Sequence, residues 1–154
     1  MKHWLVLTLM ALTTTPLTAA AEGLKFKRHD GLNGMDDYTG QITVSGEYSY
    51  SFDDAAMGPM VCFSANKATG KWIPRTKGDQ RDKWFCFRNQ ATAIKTFKIP
   101  KKPAKGYCEY HGKVTVTVNQ YSVYRVASEG SDMAQLLSAK NIQALPPKKC
   151  YVGE

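Results

Sequence analysis

Two short apolar runs, each centred on a cysteine, constrain this chain more than any other feature. Val61-Cys62-Phe63 and Phe85-Cys86-Phe87 are near copies of one another, and they bracket a stretch rich in lysine and arginine. Two further cysteines, Cys108 and Cys150, bring the total to four, all in the part of the chain that follows the N-terminal segment. That segment has the order of a secretory signal: Lys2 and His3, the apolar run Trp4–Leu12, then a polar stretch closing on Ala19-Ala20-Ala21. A run of nine residues is too short for a bilayer span, which takes about 20. Residues 1–21 are therefore read as a signal peptide cleaved before Glu22, and 22–154 as a single periplasmic or secreted domain with no transmembrane segment. An even cysteine count in an exported chain reads as disulfides. A metal site is not expected, because no C-x-x-C spacing occurs and the two histidines beyond the leader, His29 and His111, lie far apart in sequence. The matched contexts favour Cys62–Cys86, leaving Cys108–Cys150 to tie the tail to the body.

Hydrophobic periodicity reads mainly as strands. In Ile42–Tyr50, Ile42, Val44, Tyr48 and Tyr50 share one face while Thr43, Ser45, Glu47 and Ser49 share the other, with Gly46 marking a bend or bulge. "MVCFSA" and "KWFCFRN" supply the next two strands. Lys113–Val126 carries the strongest alternation, with Val114, Val116 and Val118 on one face. It loosens at Asn119-Gln120, where a bulge or sharp bend is expected in one long strand or between two short ones. Two short helices are predicted. The first follows Asn89, with Ala93, Ile94 and Phe97 inward, and stops before Pro100 and Pro103. The second covers "DMAQLLSAK" after a Ser131 cap. The tail beyond Pro146 reads as an extended strap ending at Cys150.

The order is three strands, a short helix, two strands and a short helix. "TGQITVSGEYSY", "VCF", "WFCF" and "GYCEYHGKVTVTVNQY" together resemble small bacterial periplasmic OB-fold domains across Tyr38–Val126. The resemblance implies a five-stranded, partly open barrel with a helix between its third and fourth strands, and it supplies no catalytic residues. The alternative with the same strands is an open antiparallel sandwich.

Catalysis is not expected. Glu109 and His111 point to one strand face, an arrangement common on solvated sheets. Paired cysteines provide no thiolate nucleophile. Asp30, Asn33, Asp36 and Asp37 in "HDGLNGMDD" carry calcium-type oxygens without the EF-hand spacing or its closing glutamate, and read as a polar loop. No phosphate loop, G-x-S-x-G or zinc signature occurs, and no cofactor or metal is predicted.

Charge carries the functional reading. The chain is +8 overall. Between Lys67 and Lys105 twelve basic residues face only Asp79 and Asp82, a balance of +10, while the remainder beyond the leader is −3. The expectation is an exposed hairpin projection over Lys67–Lys83. It offers Lys67, Lys71, Trp72, Arg75, Lys77, Arg81 and Lys83, together with Lys101, Lys102 and Lys105, to an anionic macromolecule, an envelope component or an acidic protein. The competing possibilities are a solvated lysine-rich loop, an inhibitor or immunity-type module that blocks another protein through the loop, and a single-stranded nucleic-acid-binding OB domain.

Overall fold

A computed structural model describes residues 23–126 and 130–150; the leader and its cleavage point lie outside them. The elements in chain order are β1 (Lys25–Asp30), β2 (Met35–Thr39), β3 (Gln41–Ser51), β4 (Val61–Ala65), α1 (Lys67–Gly70), β5 (Trp84–Phe87), α2 (Gln90–Thr96), β6 (Tyr107–Tyr124), β7 (Asp132–Ala144) and β8 (Lys148–Lys149). The protein is mainly β, with two short helices and two disulfides. No helix among the described residues is long and apolar enough to cross a membrane.

Five strands hydrogen-bond in a ring. β3 pairs with β4, β4 with β5, β5 with β7, β7 with β6, and β6 returns to β3. The sheet is mixed and not antiparallel throughout, because β5 and β7 run parallel, Phe85 opposite Asp132 and Phe87 opposite Ala134. β2 extends the sheet along the far end of β6, and among the described residues β1 pairs only with β2. The alternation in β3 and β6 has the expected consequence: Ile42, Val44, Tyr48, Tyr50, Val114, Val116 and Val118 are all buried. They meet Val61, Phe63, Phe85 and Phe87 from the cysteine strands. α2 covers one part of this core, with Ala93 and Phe97 buried and the Phe97 ring stacked on Tyr48 at 4.4 Å. Gly46 sits where β3 crosses between partners, paired with both Ala65 and Val114. A Cβ there would meet the Ser64 carbonyl and come within 2.9 Å of Ala65 Cα, so close approach of backbones requires glycine at this bend.

Cys62 bonds Cys86 across paired strands, Cα atoms 3.9 Å apart, and Cys108 bonds Cys150, as the sequence contexts suggested. The tail is the expected strap: β8 lies against the start of β6 and the Cys150 amide donates to Gly106 O at 3.0 Å.

One expectation needs correction. Residues 132–144 form β7, not a helix. Their apolar spacing fits either period, and β7 is the strand that hydrogen-bonds both β5 and β6; that long-range pairing overrides local preference. Asp132, Ala134 and Leu136 then point inward. Of the two options for Lys113–Val126 the structure has the single strand, with the expected bend at Gln120, whose φ is 46°.

Candidate functional site

The basic connection between β4 and β5 is not a free projection. It begins with one helical turn, α1, capped by Asn66: the Thr69 amide donates to Asn66 Oδ1 at 2.9 Å. Thr69 Oγ1 donates to Ser45 O at 3.0 Å and the Asn66 amide donates to the same carbonyl at 2.9 Å, which holds the turn against β3. Ile73 then enters the core with 3% exposure.

Arg75 reaches inward, its side chain 7% exposed, and donates from Nη1 to Oδ2 of Asp132, itself 2% exposed. Asp132 also accepts from the Tyr121 hydroxyl at 2.9 Å and the Tyr124 amide at 3.0 Å. A buried carboxylate needs such partners, since an unpaired one is very costly away from water. Burial, and then the Asp132 charge, pushes the Tyr121 phenol well above its ordinary value. Closer to the surface, Arg81 grips Asp79 with Nε to Oδ1 at 3.0 Å and Nη2 to Oδ2 at 2.7 Å, and also donates to Tyr124 O. That grip holds the Asp79 carboxyl far below the usual carboxylate range. Burial, and then the charge of Arg75, lowers the Lys83 ammonium.

The sequence-predicted site residues thus separate. Arg75 and Arg81 hold the connection to the ring and Lys83 is partly buried. Lys67, Lys71, Trp72 and Lys77 face solvent. Trp72 is 59% exposed, and Lys71 Nζ stands 4.9 Å from its ring centroid. Lys101, Lys102 and Lys105 are exposed too, but they precede Tyr107 at one end of β6, while Arg81 binds Tyr124 at the other. The fold does not gather the +10 stretch into one patch.

Other candidates resolve into structural roles. Glu109 pairs with Lys148 at 2.6 Å and His111 Nε2 donates to Pro146 O at 3.0 Å, so both fasten the tail strap. "HDGLNGMDD" is the turn of the β1–β2 hairpin, where Asp30 Oδ1 accepts the Leu32 and Asn33 amides. That hairpin went unpredicted, although its D-G and N-G dipeptides are turn signals. It creates a groove of about 1040 Å³ against the bend in β6, lined in part by Tyr38, Asp37, Arg88, Gln120 and Tyr124. No known family, no curated protein and no solved structure matches the chain.

Proposed function

We infer that the protein is an exported binding module, cleaved after residue 21 and working in the periplasm or outside the cell by binding, without catalysis. Two disulfides and the absence of a helical membrane span among the described residues are compatible with that compartment. The five-strand ring is read as an OB-type barrel: counted in chain order, its helix α2 falls between the third and fourth ring strands.

The observation that carries the reading is the exposed Trp72 with Lys71 beside it, on a connection fixed from beneath by Ile73 and the Arg75–Asp132 pair. An aromatic surface and cations held in place before binding lower the entropy cost of engaging a partner. The partner is an anionic macromolecule, an envelope component or an acidic protein, met by Trp72, Lys67, Lys71 and Lys77. Fixation of the connection also suits the inhibitor reading, in which the loop plugs another protein.

Capture from periplasmic extract, with and without nuclease, identifies the class of partner. Affinity for the captured partner is then measured against salt. Binding that falls steeply with salt and weakens in Trp72→Ala and in Lys71→Ser/Lys77→Ser supports an anionic partner. Salt-insensitive binding that still needs Trp72 supports the inhibitor reading, nuclease-sensitive capture the nucleic-acid one. Full affinity in both variants rejects this surface.

A further inference from the structure

The groove under the β1–β2 hairpin holds an oriented cation that makes no direct ion pair among the described residues, Asp37 standing one hydroxyl away through Ser122. Arg88 donates from Nη2 to Ser122 Oγ and from Nε to Gln120 O at 3.5 Å, and no described carboxylate lies within ion-pair distance of it. The neighbouring guanidinium, Arg28, is by contrast already spent on Asp37 at 3.0 Å. Asp37 also accepts the Ser122 hydroxyl at 2.6 Å, so one chain of hydrogen bonds aligns Arg88 with the groove wall. Gln120 is the strained residue of the site: its φ of 46° near the end of β6 is rare for a side-chain-bearing residue, and such strain gathers where function holds it.

The lining discriminates between ligands. Lys27, Arg28 and Arg88 stand against Asp30 and Asp37, a balance of only +1. Two carboxylates in the wall disfavour a polyphosphate or a nucleic-acid strand. Amide side chains and tyrosine rings beside a single guanidinium without a direct ion pair instead suit a ring that carries hydroxyls and one compact anion. We propose that this groove binds an acidic sugar unit of a glycan, its carboxylate on Arg88 and its ring against Tyr38 and Tyr124, at a site separate from Trp72.

The test is calorimetric titration of the protein with trigalacturonate, and with maltotriose as the neutral counterpart. Trigalacturonate is expected to bind at least about tenfold more tightly, as a charge-assisted hydrogen bond allows. Arg88→Gln should cost a similar factor. Lys27→Ser, at an exposed position where folding is not at stake, should weaken binding a few-fold. Trp72→Ala should leave it unchanged. No binding of trigalacturonate, equal binding of maltotriose, or undiminished affinity in both Arg88→Gln and Lys27→Ser overturns the proposal. Loss in Trp72→Ala alone also overturns it, while leaving the reading of the Trp72 surface standing.

Discussion

The β4–β5 connection and the β1–β2 hairpin both reach the Tyr124 end of β6, yet they are built in opposite ways. The connection has almost no regular structure and is deeply anchored, through Ile73, Arg75 and the Asn66 cap. The hairpin is regular β-structure whose outer strand and tip are hardly anchored: five of the six residues of β1 are exposed, Phe26 is 60% and Leu32 97% exposed, and among the described residues β1 pairs with β2 alone. Regular hydrogen bonding and burial are therefore separate quantities. Local stability follows the second more closely than the first.

The sharpest way to break this contrast is Asp132→Ala. It strands Arg75 as a buried cation without its partner and should cost about 3–5 kcal/mol. A melting temperature lowered by about 10 °C or more would register it. A near-native melting temperature would mean that the connection is not held from beneath. Opening the Cys62–Cys86 link by Cys62→Ala/Cys86→Ala frees a sequence separation of 24 residues. It should remove about 3 kcal/mol of stability in chemical denaturation.

Ile73→Val, which deletes one methylene from the buried side of the connection, should cost about 1 kcal/mol. Acid should loosen the same region. The folded Asp79 titrates far below its unfolded value, so its stabilisation is complete above about pH 4 and is lost progressively as pH falls below that toward the folded value. Melting temperature measured from pH 6 down to pH 2 should fall in the part below about pH 4, and Asp79→Asn should flatten that fall. The smallest effect belongs to the hairpin: Leu32→Ser should change stability by no more than about 0.5 kcal/mol. A larger loss by denaturant titration would reveal packing of the hairpin tip.

What the sequence revealed divides along similar lines. Alternation in Ile42–Tyr50 and Lys113–Val118 identified the inward faces, because a two-residue period on a half-buried strand leaves one assignment. The matched cysteine contexts marked neighbouring strands for the same local reason. Arg75 could not be distinguished from the solvated lysines around it, since its partner Asp132 lies 57 residues away and was itself read as the first turn of a helix. One misreading concealed the other. The basic surface was legible as charge but not as geometry: the count of twelve cations held, while their division between the two ends of β6 depended on the fold. The groove was hidden more completely, for it needs the β1–β2 hairpin and the Gln120 bend together.

The parallel pairing of β5 with β7 has a kinetic consequence. β3, β4 and β5 follow one another and can form a meander as soon as they are released, but their apolar face stays open until two later strands arrive. β6 must then lie along β3, with Gln41 meeting Asn119, and β7 must slide between β5 and β6. Contacts this distant along the chain raise the loop-closure cost of the transition state, which places refolding in the millisecond-to-second range typical of high contact order and not among fast helical folders. A chain that closes its ring only when β7 docks leaves the apolar face of that meander uncovered until then.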